Sequence, residues 1–170
     1  MAFIQAVRGY GLVKVGQIDT GAAELTAAVA WLAQSGLGYT HAVFALFLGD
    51  AYLRQGERGK ARTLCEIVLA ASQQAGYYHL AGVAKRLLGE ALVPEEPEAA
   101  AVYLAEAVHI LWELGARNEV AKAWVAQATL CQAIGNAAGA QQLLTRALDL
   151  FVTLGTCDEL GRVRAIVATL

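Results

Sequence analysis

Apolar positions recur along this chain at helical spacing, in paired blocks separated by short polar turns. From Tyr39 to Gln55, the residues Ala42, Ala45, Leu46, Leu48, Gly49, Tyr52 and Leu53 share one face of a helix. Gly56 stops that helix, as glycine does just past a last helical turn. Glu57-Arg58-Gly59-Lys60 follows as a polar turn whose acid suits the start of the next helix. Ala61, Leu64, Cys65, Val68, Leu69 and Ala71-Ser72 then carry a second amphipathic helix to Gly76. Each helix is about 17 residues, or roughly 26 Å at 1.5 Å per residue.

This unit repeats. Gly36, Gly76, Gly115 and Gly155 are spaced 40, 39 and 40 apart, and Gly9, Gly49 and Gly89 by 40 and 40, with Ala128 continuing at 39. Gly16, Gly56 and Gly135 form a third series, with Glu96 in its missing slot. Slid by 40, Leu48-Gly49 becomes Leu88-Gly89, Ala61 becomes Ala101, Cys65 becomes Ala105 and Val68 becomes Val108; slid by 79, Ala45 becomes Trp124, Tyr52 becomes Cys131 and Ala61 becomes Ala140. A period of this size marks stacked supersecondary units. Small residues let helices cross closely while large ones fill the space beside them, so each unit packs on the next in the same way. The expected fold is all-α: one domain over 1–170, with hairpins over about 2–36, 39–76, 77–115 and 117–155 and a terminal helix over about 157–169. In the third unit Pro94-Glu95-Glu96-Pro97-Glu98 replaces the glycine turn. Pro97 suits the first position of a helix and Glu98 its N-terminal dipole. The segment reads as a rigid acidic turn or, more sharply, as a docking loop for a partner.

Composition narrows the function. A net charge of −2 gives no basic face for phosphate backbones, so direct nucleic-acid binding is not expected. Charged residues are only 16% of the chain, which raises the question of a membrane. The stretches without charge, between Glu24 and Asp50 and between Lys122 and Arg146, are long enough for a span of about 20 residues. Their centres, however, hold Gln34-Ser35-Gly36 and Gln132, Gly135 and Asn136, so each reads as two helices around a turn. The N-terminus lacks the order of a signal peptide, and three cysteines without close pairing argue against a disulfide framework. A cytoplasmic protein is expected.

No catalytic motif stands out in the sequence. Gly9-Tyr10-Gly11 lacks the spacing and the preceding strand of a phosphate loop. His41, His79 and His109 have no metal-ligand partners at the usual spacings. Cys65 and Cys131 read as buried apolar residues, and Cys157 as the exposed thiol, its pKa raised rather than lowered by Asp158. Trp31, Trp112 and Trp124 read as core packing, with an aromatic binding site as the alternative. No enzyme, metal or cofactor is expected.

Ala45, Leu48-Gly49, Tyr52 and Ala61, with Trp124 and Ala140 in the last unit, resemble the tetratricopeptide repeat, although Cys65 replaces its usual aromatic. The usual unit is 34 residues. The longer unit here, together with Leu154-Gly155-Thr156 and Glu159-Leu160-Gly161-Arg162-Val163-Arg164-Ala165, is similar to repeats of large bacterial signalling ATPases and LuxR-like transcription activators. The resemblance implies a right-handed α-α superhelix of about four hairpins plus a terminal helix, cut from a longer protein, whose first helices line a concave face. Projecting those helices places Phe3, Tyr10, Lys14, Asp50, Arg54, Arg86, Glu90, Lys122, Thr129 and Gln132 on that face, a mildly positive groove. It could equally be a solvated face of ordinary pairs such as Asp50-Arg54. The resemblance implies a protein or peptide partner. A second reading makes the domain a small-molecule sensor that controls an attached ATPase or DNA-binding module. Both ends, with apolar Phe3-Ile4 and Ile166-Val167, look uncapped and suggest either a segment cut from a longer array or a subunit whose ends are buried by self-association.

Overall fold

The structure is a computed structural model that describes residues 2–156 together with Val163 and Arg164. Cys157 and, those two residues apart, the terminal helix expected over 157–169 lie outside the described residues. Eight helices follow one another, with no strand among the described residues. They are α1 (Ala2–Lys14), α2 (Ile18–Leu32), α3 (Gly38–Arg54), α4 (Arg58–Ala75), α5 (Tyr78–Leu92), α6 (Pro97–Glu113), α7 (Arg117–Ala133) and α8 (Ala137–Leu154). None is long and apolar enough to cross a membrane.

The turns follow from glycine chemistry. Gly16, Gly36, Gly56, Gly76, Gly115, Gly135 and Gly155 all take positive φ, from 68° to 87°. This left-handed geometry costs a residue with a side chain about 1–2 kcal/mol. At Gly76 it lets the Tyr77 amide turn back and donate to the Ser72 carbonyl at 2.8 Å, closing the end of α4. The α5–α6 turn manages without glycine: Glu96 holds φ −135° and Pro97 opens α6. Arg62 of α4 reaches across to bond Glu96 at 2.6 Å, which ties the acidic turn to the preceding hairpin.

Each second helix contributes one four-step ladder to the core. Gly21, Leu25, Ala28 and Leu32 on α2 correspond to Ala61, Cys65, Val68 and Ser72 on α4, then to Ala100, Leu104, Ala107 and Leu111 on α6, and to Ala140, Leu144, Ala147 and Phe151 on α8. All sixteen are buried. The steps are separated by 40, 39 and 40, so the expected equivalence of Ala61, Cys65 and Val68 with Ala101, Ala105 and Val108 is out by one residue. Ala101 and Ala105 face solvent. One residue is lost between Gly89 and Pro97, where the proline turn replaces the glycine turn. Small side chains sit where helices cross: a Cβ on Gly49 would lie 2.9 Å from the Cys65 Sγ, and one on Gly89 would lie 2.5 Å from Leu104.

Ser72 occupies the slot that Leu32, Leu111 and Phe151 fill, and its buried hydroxyl has no hydrogen-bond partner. Removing an unsatisfied buried polar group relieves its desolvation cost. Ser72→Ala should therefore stabilise the fold by about 1 kcal/mol, read as a higher urea midpoint at unchanged slope.

Each helix packs on the next, and the first helices α1, α3, α5 and α7 also touch in succession. Four first helices thus stand side by side and carry one common surface.

Candidate binding groove

That surface is a groove of about 230 Å³. Its aromatic wall comes from the first two hairpins: Tyr10 stacks on Phe47 at 4.0 Å between ring centroids, and Tyr39 and Val43 lie beside them. Val83 and Val125 continue the apolar surface onto α5 and α7. The same groove is lined by a set of charged groups: Asp50, Arg86, Glu90, Glu119 and Lys122. A second recess of about 170 Å³ shares Asp50, Glu90 and Thr129 with the groove and extends it to Arg54 and Arg58.

Arg86 organises the charged side. Its repeat equivalents on the other first helices are Ala6, Leu46 and Val125, all buried, and Arg86 itself is only 6% exposed. A guanidinium therefore stands where the other repeats place an aliphatic side chain. It donates to Glu90 and lies 3.6 Å from Glu119, which accepts from Lys122 at 2.7 Å. Burial works against its charge, but Glu90, then Glu119 and Asp50, outweigh it and raise the Arg86 pKa. Burial would likewise push the Glu119 carboxyl up, yet Arg86 and Lys122 hold it below its ordinary 4.5. The Arg86 Nε is buried without a hydrogen-bond partner. Asp50 and Arg54 form a further pair at 2.9 Å.

Of the ten residues projected onto the concave face, Tyr10, Lys14, Asp50, Arg86, Glu90, Lys122 and Thr129 line the groove, and Arg54 lines its extension. Phe3 stands apart, exposed, with its edge against the Phe44 ring at 5.6 Å between centroids. Gln132 is half-buried and lines neither recess. The projection missed Glu119, and with it the electrostatic character of the site. With Glu119 beside Asp50 and Glu90, the groove cations face carboxylates and the floor is close to neutral rather than mildly positive. The signal was present in sequence: Glu119 stands three residues before Lys122, a spacing that pairs charges on a helix. His79 also lines the groove, whereas His41 is partly buried, which lowers its pKa.

The cysteines and tryptophans sort differently from expectation. Cys65 is buried, and desolvation pushes its thiol up to about 12; Cys131 is only half-buried. Trp124 is in the core, but Trp31 and Trp112 are exposed at 56% and 44%. Trp112 leans on Trp124 at 6.2 Å, with Arg117 over its own face at 3.7 Å and Arg146 over Trp124 at 4.3 Å. This cation–π ladder lies away from the groove. Among the described residues, no three His, Cys, Asp or Glu side chains come together as metal ligands.

No family model and no curated protein matches the chain. Among solved structures it is similar to BtubC (BKLC) from P. vanneervenii, with a TM-score of 0.65 and 19% identity over 95% of this chain and 72% of that one. At that identity the likeness is one of fold.

Proposed function

We propose that this chain is a tetratricopeptide-like interaction module, its hairpins wound into a right-handed superhelix, and that it holds a partner's peptide segment in the groove along its first helices. In this reading it is a scaffold within a cytoplasmic bacterial signalling or transcription-regulatory protein. One observation carries the proposal: Arg86 occupies a buried slot that three other repeats fill with aliphatic side chains. A buried ion network seldom adds stability over apolar packing of the same volume. A charge placed at such a slot, and fixed in orientation by Glu90 and Glu119, is a departure from the repeat that serves recognition. The neighbouring Tyr10–Phe47 stack offers the apolar contact, and the oriented charges offer register and specificity.

Peptides selected from a random library against the whole chain test this. Thr129 is exposed, lines both recesses, and bonds only the Val125 carbonyl of its own helix, so Thr129→Trp fills the groove without entering the core. Selected peptides should bind wild type and lose at least tenfold in affinity to Thr129→Trp. Failure to select any peptide, or binding indifferent to that change, would overturn the proposal.

The sensor reading draws on the groove's lining: residues of four helices surround about 230 Å³, space for a compact effector. A metabolite that raises the melting temperature of wild type but not of Thr129→Trp, in the absence of peptide binding, would favour it.

A further inference from the structure

We propose that the extension of the groove at Arg54 and Arg58 reads an acidic side chain, aspartate or glutamate, of the bound peptide. The inference rests on the peptide-binding reading above and adds which segment is chosen and where it is anchored. The charges around the two recesses locate the contact. The groove is lined by Lys14, Arg86 and Lys122 against Asp50, Glu90 and Glu119, three cations to three carboxylates. The second recess shares Asp50 and Glu90 and adds Arg54 and Arg58 with no further acid, so the surplus of positive charge lies at that end. Arg54 is held by Asp50 at 2.9 Å. Arg58 is exposed, and its guanidinium has no ion-pair or hydrogen-bond partner among the described residues.

The repeat marks this arginine as a departure. Arg58 is the first residue of α4, and its equivalents at the starts of α2, α6 and α8 are Ile18, Pro97 and Ala137, none of them charged. A helix start carries the positive end of the helix dipole, where a cation is disfavoured and an anion favoured. The α2 and α6 starts hold Asp19 and Glu98, and Asn136 caps α8, but α4 has no acid in its first turn and no side-chain cap from Glu57. Arg58 therefore breaks the local rule for a helix start and gains no partner within the described chain, a conflict of the kind that functional sites carry.

The recess beside it supplies the rest of the chemistry. Leu53 and Val93 wall it, and Thr129 stands where it joins the groove. The methylenes of an acidic side chain can lie on those walls with the carboxylate on the Arg58 guanidinium, whose planar fork matches two carboxylate oxygens. The spacing follows from α3. Phe47, which carries the aromatic stack, and Arg54 stand two turns apart on that helix, about 10 Å at 1.5 Å per residue. That distance is about three residues of extended chain. The preferred segment sets an apolar or aromatic residue on the Tyr10–Phe47 stack and an acid about three positions away.

Peptides selected from a random library against the whole chain, and resynthesised with amidated C-termini, test this directly. They should share an acidic residue about three positions from an apolar one. Replacing that acid by its amide should weaken binding to wild type at least fivefold. Arg58→Glu should weaken the acidic peptide at least tenfold and prefer the amide form instead. Because an acid suits a helix start, Arg58→Glu should melt no lower than wild type, which separates lost recognition from lost fold. Peptides that lose affinity to Thr129→Trp yet ignore both Arg58→Glu and the acid-to-amide change would overturn this inference and leave the interaction module standing. So would peptides whose binding is lost on amidation of the C-terminus. Failure to select any peptide would overturn both.

Discussion

Arg86→Leu is expected to destabilise the fold by about 3 kcal/mol at neutral pH, even though leucine is what fills the same slot at Leu46. The reason is the company Arg86 keeps. Without the guanidinium, Glu90 and Glu119 retain their partial burial, with side chains 17% and 18% exposed, but lose the cation that offset it. For a chain of this length the loss corresponds to a melting temperature lower by roughly 6–12 °C. The pH dependence identifies the cause. In wild type the Glu119 pKa lies below 4.5, so its contribution is present at neutral pH and lost as pH falls through the folded value. In Arg86→Leu the largest force holding that pKa down is gone and desolvation remains, so the carboxyl takes up its proton more readily in the folded state. The gap between variant and wild type should therefore narrow as the pH drops through about 4–5. Adding Glu90→Gln and Glu119→Gln should return most of the lost stability. Urea titrations at pH 4 and pH 7 provide the check, and a penalty independent of pH would show that the network is not what Arg86 serves.

The second large effect concerns the α1–α2 crossing. Gly21→Ala would place a Cβ 2.6 Å from the Gly9 carbonyl oxygen and 2.8 Å from the Val13 amide nitrogen. Both are backbone atoms, so no side chain can rotate aside and α1 must move as a body. Overpacking of this kind costs about 1–3 kcal/mol, and we expect the upper end, because the roughly 1 kcal/mol gained in helix propensity cannot offset a displaced helix. Alanine is accommodated at Ala61, Ala100 and Ala140, so the crossing at Gly21 is the tight one. Tyr10 moves with α1, and its stack on Phe47 should loosen. Gly21→Ala should therefore weaken peptide binding as well as lower the urea midpoint, while Ala61→Gly should leave the groove intact.

The sequence carries the helices and their pairing because the signals are local. A left-handed turn needs glycine, and seven with the required φ recur in order along the chain, with one slot skipped where Pro97 opens α6. The register of α6 was not legible in the same way. Ala100 and Ala101 are equally small, so at that step composition does not say which enters the core, although Leu104 rather than Ala105 matches Leu25 and Leu144 in the ladder. The residue dropped beside Pro97 settles it only once the turn is folded. The groove was partly legible for a similar reason. Projection finds residues spaced along a helix, and it found Arg86 and Lys122. It left out Glu119, although the repeat equivalent Leu80 also lines the groove, and the Glu119 carboxylate reaches Arg86 on α5. Nor does it show that Arg86 is buried, which emerges only from comparison with Ala6, Leu46 and Val125.

The apolar interior falls into three clusters: a large one over the first two hairpins and α5, a second over α6, α7 and α8, and a third in which Leu92, Val93, Ala100, Leu104, Ala126 and Leu130 join α5, α6 and α7. Val83 packs against the first two. Val83 is also part of the groove. A molecule lodged there would bear through Val83 on both of these clusters at once, so its binding energy would add to the cohesion between the earlier and the later helices, as any ligand stabilises the state it binds.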